Sequence, residues 1–445
     1  MLAQSKKVIP RSNAVAMSRS AAAASPWPRR PRPSAMRETR APEPPRRVYC
    51  IVPSPVYSSR TARICPGRRA ARRTRHGRLH PAMPVPIRPS LFSMPLHPPE
   101  RPIADCYADD LRMIELAEQL GYEEFWCGEH LTSRWENVPD PMLLLAAAAS
   151  RTTQIRFGTA VLLMPFHNPL HTALRLAQLD HQMRGRLIVG IGSGGLKQDR
   201  EAFGIDLTPE QAGRLTAESA ELLERFWQGE PFAHTGEFFR YTLPDEDPTL
   251  RNGALMRPYQ RPRPEIAVAG VNRQSYILGW AGERGYTPLT TNLMATDHIV
   301  DHWAAYTAGC VRGGRAPDRA RWHICRDIHV ADTTDRAIRE VRDGGMARAY
   351  REYMLPLVRS GRGLHAFKLD TTMSDDEVTI DYLIEHAWIV GSVEECTRRL
   401  RALRDASGGF GVLMAIAHDW APYTDRFHRS LALLAEKVLP GVNGS

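Results

Sequence analysis

The chain has 445 residues, 43% hydrophobic and 24% charged, which is enough length for one to three domains with a sizeable core. Its formal charge of +10 is uneven: residues 1–88 hold 18 Arg and 2 Lys against Glu38 and Glu43, a balance of +18, leaving 39 basic against 47 acidic residues, or −8, in the rest. A mildly acidic body is not built to grip nucleic acid. Seven scattered cysteines do not make a disulfide framework or a zinc site and fit a reducing, cytoplasmic setting, and the apolar run 142–149 is too short to cross a membrane.

Residues 1–86 are rich in Arg, Pro, Ala and Ser and poor in aliphatic side chains, so they cannot assemble a core and are expected to form a disordered basic extension. Three readings of it stay open: a segment that binds polyanions through charge, an Arg-rich targeting peptide, or upstream sequence translated from a misplaced start ahead of Met83. In each case the extension is expected to be dispensable for catalysis. A chain beginning at Met83 should be soluble and fully active, and loss of either property would show a role for the extension.

The second region, 87–445, alternates strand and helix patterns. Ser90–Met94 reads as a strand, 105–119 as a helix closed by Gly121, and Glu124–Gly128 as a second strand that ends at Glu129 and His130. A helix over 143–150 leads to the apolar run Ile155–Met164, read as a strand buried on both faces. Pro165 and Pro169 end it, a helix follows to Gly185, and Leu187–Ile191 is a fourth strand. That crossover is long enough only for parallel strands.

The fourth strand runs into Gly190-Ile-Gly-Ser-Gly-Gly195. A dinucleotide fingerprint fits this loosely, because no strand ending in an acidic residue follows at the required distance. A tight loop serving only the fold is a second reading. The preferred one is a glycine-lined floor for a flat cofactor at the C-terminal rim of a parallel barrel.

Further along, Thr208 caps a helix from Pro209, and 232–241 reads as a hairpin around Thr235–Gly236. Residues 244–264 are Pro- and Arg-rich without period, and 344–378 reads as irregular with Gly344–Gly345 and Gly361–Gly363; both are expected to belong to a lid. Strands are expected at 266–270, 286–290, 323–331 and 411–417, with helices near 274–283, 297–308, after Thr333, at 393–404 and 423–438. Eight strands alternating with helices predict a (β/α)8 TIM barrel with insertions.

Several pieces in this order, SLFSMPLHPP (90–99), GYEEFWCGEH (121–130), GTAVLLMPFHNP (158–169), LDHQMRGR (179–186), GIGSGGLKQDREAFGID (190–206) and HDWAPYTDRFHRSLALLAEKVLP (418–440), resemble the luciferase-like flavin-dependent monooxygenases. The likeness is strongest to the branch that oxidises terpenes and cyclic ketones, the limonene and diketocamphane monooxygenases. It implies a luciferase-like TIM barrel and a homodimeric, two-component enzyme, taking reduced FMN from a separate reductase. Through a C4a-peroxyflavin formed with O2, such an enzyme inserts one oxygen atom into a small apolar substrate.

The resemblance also assigns residues. His130 matches the first, catalytic His of a family Glu-His-His pattern whose second His is here Leu131. By position alone, a lone His such as His130 is more often a satisfied structural residue, and the resemblance reverses that reading; Glu129 is either its orienting partner or part of a buried structural pair. Ala160–Val161 matches a cis peptide beneath the flavin ring, and Gly192, Ser193, Gly194, Gly270, Asn272, Arg273, Gln274 and Ser275 match the cofactor-binding positions. A related family position carries Arg where this chain has Ser193, so Lys197, Arg200 and Arg273 are the candidates for the anion grip. Met164, Phe166, His167 and Asn168 read as pocket wall or as turn and packing residues. No His–carboxylate spacing marks a metal site. Two alternatives use the same barrel: an F420-dependent hydride-transfer oxidoreductase, and a non-catalytic flavin-binding relative.

Overall fold

The computed structural model describes residues 85–273, 275–361, 363–370 and 372–444. The expected extension, apart from Val85 and Pro86, and the candidate Gln274 lie outside them. Eight strands form the barrel: β1 (Arg88–Ser93), β2 (Glu124–Cys127), β3 (Arg156–Thr159), β4 (Leu187–Gly192), β5 (Glu265–Gly270), β6 (Thr287–Thr290), β7 (His323–Arg326) and β8 (Val412–Ala417). All neighbours run parallel in the order β3-β2-β1-β8-β7-β6-β5-β4, and the pairing of Phe157 with Leu187 closes the ring. The barrel read from the alternation of elements is therefore the barrel observed. Its start is pinned to its end: the Ile87 N–H donates to Asn443 Oδ1 and Asn443 Nδ2 donates to the Ile87 carbonyl, both at 2.9 Å.

Period-two alternation sorts the strands' side chains. Phe92, Trp126, Ile188, Ala267, Leu289, Cys325, Met414 and Ile416 fill the interior. The intervening residues, such as Leu91, Phe125, Phe157, Val189, Ile266, Ile324 and Leu413, pack against the helical shell. Toward the C-terminal rim Met94, Ala160 and Ala269 pack on this interior layer. Among the described residues no helix is long and apolar enough to cross a membrane.

Three expectations change. The strand read over 323–331 breaks at Asp327: Ile328–Val330 leaves the barrel and pairs with Ile389–Gly391, a strand that sequence patterning missed because it is only three residues long. The segment 344–378 is not irregular at its start, since Gly345–Ala349, Tyr350–Met354 and Leu355–Gly361 are successive helical stretches, the middle one a π-turn. Gly344 and Gly345 mark close packing rather than a loop: a Cβ on Gly345 would lie 1.6 Å from the Asp419 carbonyl oxygen.

The third change concerns 244–264. Gln260 donates from its main chain to Asp180 and from Nε2 to the Leu187 carbonyl, each at 2.8 Å. Leu187 opens β4, so this end of the segment is fastened to the N-terminal face of the barrel, opposite the rim where a lid would act.

Candidate active site

The predicted residues gather at the C-terminal ends of four consecutive strands, β2, β3, β4 and β5. His130 follows β2 by three residues. Its Nε2 meets Glu136 Oε1 at 3.0 Å, and its buried Nδ1 has no partner among the described residues. Burial opposes a charged imidazole here, but the charge and hydrogen bond of Glu136, with the charges of Asp199 and Glu129 behind it, hold the His130 pKa above its ordinary value.

Glu129 is not the orienting partner. Its Oε2 accepts the Leu163 N–H at 2.6 Å and its Oε1 meets His167 Nε2 at 2.7 Å, so it ties the end of β2 to the turn after β3. The partner is Glu136, 1% exposed, which sequence spacing did not reveal. The loop that carries it is folded by Ser133, whose Oγ accepts the Trp135 and Glu136 N–H groups at 3.2 and 3.0 Å. Tyr353 then closes over the loop: its hydroxyl donates to Glu136 Oε2 and accepts from Ser133 Oγ, and its ring stacks on Trp135 with centroids 5.9 Å apart. Tyr353 comes from the π-turn, so this part of the expected lid does reach the rim.

Directly after β3 the Ala160–Val161 peptide is cis. The Ala160 N–H donates to the Cys127 carbonyl at 2.7 Å, which sets this peptide beside the end of β2. Val161 explains part of the glycine pattern on β4, because a Cβ on Gly192 would lie 2.5 Å from Val161 Cγ2 and one on Gly190 1.9 Å from the Thr159 carbonyl. Gly194 takes φ +73°, a conformation that favours glycine. Ser193, between them, is half-buried. Behind this turn Asp199 is fully buried; it accepts from Thr132 Oγ1 at 2.5 Å.

After β5, Gly270 packs directly on Leu278, and the Asn272 carbonyl lies 2.8 Å from His302 Nε2. Arg273 is exposed and paired with Asp301 at 2.8 Å, and Ser275 is buried as the residue preceding helix Tyr276–Arg284, where its hydroxyl makes no capping bond. Lys197 is paired with Glu201 on the surface.

His167 and Asn168 resolve as turn residues: His167 joins Glu129, and Asn168 Oδ1 caps helix Pro169–Gln182 by accepting the His171 N–H at 3.0 Å. Met164 is buried and Phe166 packs against Phe203. One trio, His97, Cys106 and Asp419, brings possible metal-ligating atoms within 4.8 Å of one another. Both His97 ring nitrogens there already meet carboxylates, Asp419 at 2.8 Å and Asp110 at 3.2 Å, and Arg101 bonds Asp419, so the group is a charge cluster with its own cation in place.

Comparison with known proteins bears on the whole barrel. The luciferase-like monooxygenase family matches residues 90–409. The 2,5-diketocamphane 1,2-monooxygenase 1 of Pseudomonas putida is 30% identical over 361 residues, covering 79% of this chain and 98% of that protein. The limonene 1,2-monooxygenase of Rhodococcus erythropolis is 29% identical, covering 79% and 86%. Among solved structures, the oxygenating constituent of 3,6-diketocamphane monooxygenase from Pseudomonas putida, a type II Baeyer-Villiger monooxygenase in complex with FMN, superposes with a TM-score of 0.75 at 28% identity, covering 80% of this chain and 98% of that one. With its barrel, its strand-end site and these matches, the chain belongs to the luciferase-like monooxygenase family.

Proposed function

We propose that this chain is the oxygenating component of a two-component monooxygenase that takes reduced FMN from a separate reductase and inserts one atom of O2 into a small apolar substrate, with cyclic ketones and terpenes the first classes to try. The carrying observation is His130, held at Nε2 by Glu136 and with a buried Nδ1 that has no partner among the described residues, at the end of the strand next to the cis Ala160–Val161 peptide. The rim fits a flat ring system: Ala160, Ala269 and Gly192 present little side chain there. Gly192, Ser193, Gly194, Gly270, Asn272, Arg273, Gln274 and Ser275 would hold the cofactor, with Arg273 and Ser275 offering a cation and a hydroxyl to its phosphate.

Bound and reduced, FMN supplies two electrons to O2, so that one oxygen atom passes to the substrate and the other leaves as water. The chain's own residues set the conditions for that outcome. His130 holds a proton at a rim position, and Glu136 fixes which ring nitrogen faces the site. Trp135 and Tyr353 stack over the loop and keep water out.

The test is a reconstitution: photoreduced FMN is added anaerobically, a bicyclic ketone and labelled O2 follow, and product is read by mass spectrometry. One labelled oxygen atom in the product is expected. Ketone reduction with F420 and no need for O2 would overturn the oxygenase reading in favour of hydride transfer, and FMN binding without product from any ketone or terpene would leave a flavin-binding relative.

A further inference from the structure

One helical turn, Tyr350–Met354, serves two carboxylates. Tyr353 donates to Glu136, which holds His130. Three residues earlier, Tyr350 donates to Asp327 Oδ2 at 2.7 Å, and Asp327 Oδ1 meets His418 Nε2 at 2.7 Å. Asn292 Nδ2 adds a third bond to the same carboxylate at 2.8 Å. The order tyrosine, carboxylate, histidine thus occurs twice from a single turn, and in both cases the histidine's Nδ1 is buried with no partner among the described residues.

The second set stands over the barrel. Asp327 lies two residues beyond Cys325 and His418 two beyond Ile416, both interior residues, so strand alternation carries Asp327 and His418 onto the rim of β7 and β8. Since β1 separates β2 from β8, strand spacing sets the two strand ends that carry these histidines about 10 Å apart. That is the breadth of a small ligand lying on the rim.

A purely structural reading has a comparison within the molecule. His329 also pairs with a carboxylate, Glu340, at 2.8 Å and also leaves Nδ1 unpartnered. It sits in the two-stranded sheet outside the barrel and stacks on Trp420 at 4.5 Å. His418 differs in its place at a barrel-strand end and in sharing its turn with the set that holds His130.

We propose that His418 is a second imidazole of the active site, contacting the bound ligands from the β8 side, with Asp327 and Tyr350 as its positioning residues. The proposal rests on the flavin reading above. His418 Nδ1 gives the oxygen transfer a second imidazole nitrogen on this side, so that the π-turn organises both.

The experiment is histidine NMR on the full chain with ring-labelled His, His418→Gln and His130→Gln serving to assign the two signals. Oxidised FMN and then a bicyclic ketone are titrated in. The His418 signal is expected to move on saturation, and Tyr350→Phe should displace it in the ligand-free protein while leaving the His130 signal in place. In turnover, His418→Gln should lower product formed per O2 about tenfold or more while FMN affinity stays within about twofold. FMN binding with a stationary His418 signal would overturn the proposal alone. Failure to bind FMN at all would remove the flavin reading and the proposal with it.

Discussion

His130→Ala is expected to fold and to bind FMN, but to form product at about one hundredth of the wild-type rate or less, with O2 released as hydrogen peroxide instead. The substitution leaves the backbone of the β2 loop in place, because Ser133 and the Val138 carbonyl hold that loop independently. It does strip Glu136 Oε1 of its partner while Tyr353 still donates to Oε2. A buried carboxylate that loses one of two bonds costs about 1–3 kcal/mol, which a folded barrel tolerates. His130→Gln keeps a donor and should recover part of the yield.

The pH profile carries the same argument. The Glu136 carboxylate, with Asp199 and Glu129, outweighs burial and raises the His130 pKa, so the protonated imidazole persists to higher pH than an isolated one. Glu136→Gln removes the nearest negative charge, and the limb of product yield that follows His130 deprotonation should move to lower pH. Peroxide and product per O2, measured across pH 5–9, check both statements. A His130→Ala chain that makes product at the normal rate would reduce His130 to a packing residue.

The largest effect on stability is expected at the opposite end of the barrel. Glu124, 1% exposed at the start of β2, accepts from Trp126 Nε1 at 2.9 Å, meets His323 Nε2 at 2.8 Å and accepts from Arg156 at 3.3 Å. Burial works against its charge, yet the His323 and Arg156 contacts and the Trp126 bond hold its pKa below the ordinary value. Glu124→Ala removes the acceptor for two buried donors, Trp126 and His323, and for the half-buried Arg156, and is expected to cost about 3–5 kcal/mol, read by denaturant unfolding. Glu265 extends the network to Arg156, Thr287 and Arg321. Burial again opposes the charge, and those partners hold its pKa down to about 2.

Both carboxylates are depressed on folding, so their contribution is complete above the unfolded-state value of 4.5 and is lost as pH falls below it, for Glu265 toward about 2. The wild-type chain should therefore lose stability steeply below about pH 4.5, and Glu124→Ala less steeply. Equal pH slopes for the two would exclude Glu124 from that linkage.

The amino-acid sequence by itself determined the barrel. Apolar runs of four to six residues, separated by amphipathic helices and punctuated by Gly and Pro, leave parallel closure as the way to bury both faces of every strand. It also determined the strand ends, and therefore that His130, Ala160–Val161, the glycine turn and 270–273 stand on one rim. What it could not set was which polar groups meet there. Glu129 is adjacent to His130 in sequence, but successive residues at a strand end point to opposite sides, so Glu129 turns to Leu163 and His167 while Glu136 folds back to His130. Tyr353 reaches Glu136 from 217 residues away, and Asp327 meets His418 across 91. Those pairings depend on barrel closure and on a π-turn that a local reading took for irregular chain. Spacing along the sequence fixes direction and period within an element, and only the packing of distant elements decides which buried carboxylate each histidine is given.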